Sequence, residues 1–396
     1  MSTFKFIHCA DLHLGSRSYG IAGRDPELGK KLRESVFESF SRIIDRAVIT
    51  NTDFMVISGD IFDETTETPA TRLRFAKELE KVKIPVYICL GNHDHVMSWT
   101  ESIPYPENVH VFGSEPESII LQTAGGPVEI VGKSFPERHS SENPTIGIAG
   151  RQGMFSIAVL HCSLDKVAPD TEYGPCSLSD MVNKGIDYWA LGHIHKRTEV
   201  SADPYVIYPG NIQGRSRKEI GEKGAYMVTV TDDRVTEAKF FATQEIVWKE
   251  ISCDITGKDI NSMIGDVVSK AGTRSMVSLT FTGKGVLDAP LRSDTGDIMG
   301  QIEKMSGCKI TDVTLNTYPP MDREKMSAGS DMSANVIRSS DRILGMGREE
   351  IIDTICKTKQ SESIRYMLEW LTDDELRGLV RDAEVLIIDR LAGAVR

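Results

Sequence analysis

A chain of 396 residues is too long for one small domain and long enough to bury a large core, so two or three domains are expected. Its net charge of −12 argues against a protein that coats nucleic acid by electrostatics alone. It leaves room for a nuclease, because bound divalent ions reverse the local field of a site. No leader of the charged–apolar–small type opens the sequence, and no apolar run is long enough to span a bilayer. The seven cysteines carry no CxxC pair and read as reduced thiols, so a cytoplasmic protein is expected.

In chain order, residues 4–9, 53–57, 84–90, 156–160, 187–191, 205–208, 225–230 and 234–241 read as strands by their β-branched and aromatic content. Leu32, Val36, Phe40, Ile43, Ile44 and Ala47 recur at helical spacing and predict a helix over 30–49. A second helix is expected near 70–82. Strand and helix alternate, which argues for an α/β layered fold over residues 1–245. Residues 246–320 read as a small α/β domain of covering or gripping role, 321–340 as a linker rich in Pro, Met, Gly and Ser, and 341–396 as a helical tail. Thr372 and Glu375 form a capping box opening the last helix. The apolar residues of that helix, from Leu376 to Leu391, serve packing at home, docking of a partner helix, or both.

Five segments carry the chemistry: Asp11-Leu12-His13, Gly59-Asp60-Ile61-Phe62-Asp63, Gly91-Asn92-His93-Asp94, His161, and Gly192-His193-Ile194-His195. Each follows an apolar run read as a buried strand, so the set collects at strand ends, where α/β sheets present ligand sites. Five of the nine histidines fall here beside Asp and Asn. Buried acids and imidazoles without partners are costly, so a shared ligand is expected. Two metals about 3.5–4 Å apart neutralise phosphoryl oxygens and supply a hydroxide. The mixed carboxylate, imidazole and amide set suits Mn²⁺ first, with Fe²⁺, Zn²⁺ or Mg²⁺ as alternatives, and suits Ca²⁺ poorly. Asp11 and His13, two apart on an extended segment, point to one side of the chain and grip one ion together. Asp60 offers two oxygens for bridging, and Asn92 a neutral amide oxygen. His161, His193 and His195 complete the shells.

The order DxH, GDxxD, GNHD, H and GHxH over residues 4–241 resembles the calcineurin-like metallophosphoesterase superfamily. The resemblance implies a four-layer fold, a double β-sheet sandwich flanked by helices. It implies Asp11, His13, Asp60 and His195 around one ion, and Asp60, Asn92, His161 and His193 around the other. His93 is then the general acid, with Asp63 paired to it. The opening Phe6-Ile7-His8-Cys9-Ala10-Asp11-Leu12-His13-Leu14-Gly15 and the segment Tyr208-Pro209-Gly210-Asn211-Ile212-Gln213-Gly214-Arg215 are similar to DNA-repair exonucleases of the SbcD type, nearest their YhaO-like branch. That likeness implies a nuclease acting on DNA with an SMC-like ATPase of the SbcC type, as a homodimer. It also implies that residues 246–320 and the tail match the nuclease's capping and ATPase-docking regions in position.

Two departures bear on substrate. Glu64 stands where protein phosphatases of the superfamily place an Arg, and repels a dianionic monoester. Asp63 stands where the archaeal and eukaryotic break-repair nucleases place a His. Arg17 and Arg215, in loops beside the strand ends, are candidates to hold a DNA backbone. Two other readings stay open: a phosphodiesterase for nucleotides or small diesters, and a non-catalytic scaffold subunit of an ATPase.

Overall fold

A computed structural model describes residues 2–16, 25–63, 66–97, 104–167, 172–320, 323–356 and 362–393. Backbone contacts divide the chain into two compact units. The first comprises Met1–Glu250, Ala271–Ser278 and Ser306–Thr311; the second comprises Ile251–Lys270, Leu279–Met305 and Asp312–Arg396.

The first unit is built on two six-stranded sheets. One runs in the order Arg234–Ala242, Gly224–Thr231, Thr3–Cys9, Phe54–Ser58, Val86–Cys89, Val109–Val111. The other runs Thr198–Ala202, Tyr205–Tyr208, Tyr188–Gly192, Phe155–His161, Gly126–Gly132, Glu117–Thr123. Both mix parallel and antiparallel pairs. The two-residue period of a strand sorts its side chains. Phe4, Phe6, Phe54, Val56, Tyr87 and Cys89 pack between the sheets against Ile157, Val159, Tyr188 and Ala190. Their neighbours Ile7, Cys9, Met55, Ile57, Val86 and Ile88 face the other way, onto Val36, Phe40, Ile43, Ile44, Phe75 and Leu79 of two helices. Loops and the short 3₁₀ turn Leu178–Asp180 cover the outer face of the second sheet, around Trp189, Leu160 and Met181. This is the expected α/β double sandwich.

The first helix spans Pro26–Ile49, starting earlier than its apolar stripe. Asp25 accepts from the Leu28 N–H at 2.9 Å and Pro26 takes the first turn, where a missing N–H costs nothing. Thr68 caps the second helix, Pro69–Leu79, in the same way.

Strands Glu117–Thr123 and Gly126–Gly132 were not expected from the sequence. Gly126, Pro127 and Gly132 read as turn residues, and Glu117–Thr123 alternates between exposed and half-buried positions only. Buried Glu129 in the second of them is satisfied by Ser118, Ser156 and Arg151.

Further along, strands Val247–Asp254, Ser275–Lys284 and Lys309–Tyr318 form a three-stranded sheet with helices Ile260–Ala271, Asp288–Ser293 and Thr295–Ser306 in the connections. The expected linker over 321–340 is a correction. It holds helices Arg323–Ser327 and Met332–Leu344. Its Gly329-Ser330 pair marks only the turn between them, and Asp331 caps the second by accepting from Ala334 N–H at 2.8 Å. Arg323 is tied to buried Glu384 of the last helix, Asp373–Gly393, at 2.8 Å. Ile351, Ile352, Leu368, Leu376 and Val380 form the core of this helical region. Among the described residues no helix is long and apolar enough to cross a membrane.

Candidate metal centre

Strands Thr3–Cys9, Phe54–Ser58 and Val86–Cys89 are mutually parallel, as are Phe155–His161 and Tyr188–Gly192. Their carboxyl ends deliver Asp11, Asp60, Asn92, His161 and His193. The two sheets touch where this happens. A Cβ on Gly192 would lie 1.6 Å from the Ser58 carbonyl oxygen, and one on Gly59 would lie 2.3 Å from His161 Nδ1. Only a hydrogen fits at either place, which is why the acid and the imidazole that follow can meet.

Asp11, His13 and Asp60 take positive φ of 52°, 46° and 53°, and His193 takes 103°. The extended Asp11–His13 segment expected from the sequence is therefore corrected. The strand has already ended, and the backbone coils against the Gly59–Ile61 loop. Asp11 N–H donates to Gly59 O at 3.0 Å and His13 N–H to Asp60 O at 2.9 Å. The two side chains still come together by this left-handed route: Asp11, His13, Asp60 and His195 place one ligand atom each within 4.8 Å of one another.

The hydrogen bonds around the imidazoles show what the cluster lacks. His13 Nδ1 lies 2.7 Å from the Asp63 carboxylate, and His195 Nδ1 lies 2.7 Å from that of Glu219. A carboxylate only accepts, so both Nδ1 atoms carry a proton, and in the neutral imidazoles both Nε2 atoms bear a lone pair. Those lone pairs face each other at 3.0 Å. His161 repeats the pattern. Its Nδ1 donates to Ser58 O at 3.0 Å, and its Nε2 faces Asn92 Oδ1 at 3.1 Å. Asp60 Oδ2 stands between, 3.7 Å from His13 Nε2 and 3.5 Å from His161 Nε2. Asp11 adds a buried Oδ2 with no hydrogen-bond partner. Acceptors converging on acceptors at two places sharing one carboxylate repel unless cations lie among them, so the donor set fits two divalent ions. Burial opposes ionisation of Asp60; positive charge on His161, His13 and His93 outweighs it and holds the carboxyl well below its ordinary range, and with those imidazoles neutral a bound cation would take that part.

The remaining expected residues fall around this cluster. His93 N–H donates to Asp60 Oδ1 at 3.0 Å, while its Nδ1 lies 3.2 Å from Asp63 Oδ1. Asp63 is nearer to His13 than to His93, and it also meets Arg215 Nη1 at 3.4 Å. His13 and Arg215 overcome its burial and hold it down to about 2. His193 N–H donates to Asp11 Oδ1 at 3.0 Å, and its ring lies 5.2 Å from that of His161. His193 and His195 thus diverge, one toward His161 and the other toward His13. Arg17 and Glu64 lie outside the described residues.

Two residues escaped sequence reasoning. Asp94 accepts from Gly91 N–H and Ile61 N–H at 2.7 Å each, clamping two motif loops together. Burial and the Asp60 charge raise it to about 7. Its place in the GNHD run was the available signal. Glu219, partner of His195 and Arg215, had only its i,i+4 spacing from Arg215 to announce it. The Tyr208–Arg215 segment that precedes it is fixed by Gln213, which accepts from Glu245 N–H at 2.8 Å and donates to Ile246 O at 2.7 Å. His8, adjacent to the first motif, is a core residue lying 3.0 Å from Tyr188 Oη and 3.2 Å from Ser58 Oγ.

Residues 4–197 match the calcineurin-like phosphoesterase family. The uncharacterized metallophosphoesterase YhaO of Bacillus subtilis (strain 168) is 36% identical over 307 residues, which is 73% of this chain and 75% of that protein. The DNA double-strand break repair protein Mre11 of Sulfurisphaera tokodaii is 25% identical over 260 residues, covering 60% of this chain and 63% of that protein. A solved structure, TT1561 of Thermus thermophilus, aligns with a TM-score of 0.39 at 10% identity, covering 61% of this chain and 100% of that one.

Proposed function

Because this chain belongs to the calcineurin-like phosphoesterases and is a metal-dependent phosphoesterase, we propose that it is a DNA nuclease. It cleaves phosphodiester bonds as an exonuclease, and as an endonuclease where structure in the DNA allows. The observation that carries the chemistry is the pair of lone-pair convergences sharing Asp60. The substrate is supported by relatives named for DNA double-strand break repair.

In this reading Asp11, His13, Asp60 and His195 would hold one ion, and Asp60, Asn92, His161 and His193 the other, with Mn²⁺ the first choice. When bound, the ions neutralise the phosphoryl oxygens and lower the pKa of a water to make a nucleophile. The chain's own groups do the rest. Asp63 and Glu219 fix the tautomers of His13 and His195, and Asp94 holds the Asp60 and Asn92 loops in register. His93 gives a proton to the leaving oxygen. Arg215, partly exposed beside Asp63, meets a backbone phosphate. The helical region, with Tyr366, Trp370, Leu379 and Leu386 exposed, docks an SMC-like ATPase of the SbcC type.

End-labelled single- and double-stranded DNA incubated with the protein in Mn²⁺ or Mg²⁺ tests this. Metal-dependent shortening or nicking is expected. Hydrolysis of bis-p-nitrophenyl phosphate or a cyclic nucleotide with DNA left intact would replace the nuclease by a small-diester phosphodiesterase.

A further inference from the structure

Arg215 lies at the edge of the cluster, against the partners of two of its imidazoles. Its backbone N–H donates to Glu219 Oε2 at 2.6 Å. Its guanidinium lies 3.7 Å from Glu219 Oε1 and 3.4 Å from Asp63 Oδ2. Both carboxylates are mostly buried, with side chains 12% and 14% exposed. One guanidinium between two carboxylates leaves the trio itself one negative charge, with Lys223 close by, donating to His195 O at 3.0 Å. Arg215 Nε itself is buried and has no hydrogen-bond partner, so any contact with a phosphate falls to the Nη atoms. Glu219 does not stop at Arg215, for the same Oε1 takes the His195 Nδ1 proton at 2.7 Å. One carboxylate therefore fixes the lone pair of a cluster imidazole and the seat of the arginine that meets Asp63.

We propose that Glu219 is a positioning residue that orients His195 and Arg215 together, and that the Glu219–Arg215–Asp63 trio selects a singly charged phosphodiester over a doubly charged phosphomonoester. The specificity half rests on the phosphoesterase reading above. The charge logic is simple. An Arg already facing two acids still has Nη protons to offer a phosphate oxygen, but no net positive charge to offer a dianion. Bound ions attract both esters, so the trio acts on the difference between them: the second negative charge of a monoester meets the Asp63 and Glu219 carboxylates at short range, where like charges repel.

The full chain, with Glu219→Ala and Glu219→Gln, tests both halves. Mn²⁺ titration followed by the electron paramagnetic resonance of the free ion should show one site weakened about 10–100-fold in Glu219→Ala, as is usual when the partner of a ligating His is removed. Glu219→Gln keeps one oxygen for the His195 proton at the expense of the Arg215 N–H acceptor, and should hold Mn²⁺ closer to the native chain than Glu219→Ala does. It removes one negative charge, so the ratio of kcat/KM on bis-p-nitrophenyl phosphate to that on p-nitrophenyl phosphate should fall about tenfold. Unchanged Mn²⁺ binding in Glu219→Ala overturns the positioning role. An equal loss on both esters in Glu219→Gln, or no change, overturns the selection role. A native chain inert toward both esters would remove the phosphoesterase reading and the selection with it, while the Mn²⁺ arm still decides the hold on His195.

Discussion

The sheet sandwich and the C-terminal helices handle side chains in opposite ways. The sandwich takes polar groups inside: Asp11, His13, Asp60, Asn92, Asp94 and His161 are all buried among aromatic and aliphatic packing. Its exposed large apolar residues are few and, apart from the neighbours Val48 and Ile49, far apart in sequence, as with Met97 and Ile146. The helical region does the reverse. Its core is small, and Met332, Tyr366, Met367, Trp370, Leu379, Leu386 and Ile387 are exposed within about sixty residues. An apolar cavity of about 480 Å³ opens among Val336, Ile343, Leu368 and Ile387. Buried polarity stores the capacity for chemistry, whereas exposed apolarity stores the capacity for association.

Three experiments break or sharpen that contrast. The largest effect is expected from Asp60→Ala, which removes the oxygen standing between His13 and His161. Hydrolysis should be abolished and bound Mn²⁺ should fall below about two per chain. A variant with full activity and unaltered metal content would sink the two-metal account. Next, His93→Ala should lower turnover on DNA by about 10²–10⁴-fold while metal binding survives, as for loss of a general acid. The loss should shrink on an ester whose leaving group is p-nitrophenol. Equal losses on both substrates would argue that His93 does something other than donate a proton. The third belongs to the helices. Leu379→Asp with Leu386→Asp changes two side chains that are 44% and 57% exposed. Affinity for the ATPase should drop about 10²-fold or more, the scale of losing central apolar anchors. Activity on small diesters should be retained. Undiminished pull-down of the ATPase would mean that this surface docks nothing of that kind. The substitutions are preferable to cutting at residue 341, which lies within helix Met332–Leu344.

Strand ends were legible because each motif follows a run of buried β-branched and aromatic residues, as at Phe54–Ser58 and Phe155–His161. Burial on both faces removes the polar alternation and leaves an unmistakable apolar block. Edge strands such as Thr198–Ala202, half-buried and polar, give no such block. In the site, residues with metal-ligand chemistry could be named from type and spacing. Their supporting partners could not: Glu219 is an ordinary surface acid by sequence, and only the fold of the Tyr208–Arg215 loop brings it under His195. Asp63 is a milder case: the resemblance pairs it with His93, which lies 3.2 Å away, but does not announce its shorter contact to His13 at 2.7 Å. The short helices at Arg323–Ser327 and Met332–Leu344 were hidden by the turn residues between them.

The left-handed backbone at Asp11, His13, Asp60 and His193 sets stability against chemistry. Strained non-glycine conformations cost on the order of 1–3 kcal/mol each. Asp and His bear them better than most residues, yet glycine bears them better still. Set against the roughly 5–15 kcal/mol that hold a typical domain together, four such positions are a burden. Glycine at any of the four would relax the backbone and take away a candidate ligand in the same stroke, so the sturdiest version of this loop cluster is also an empty one.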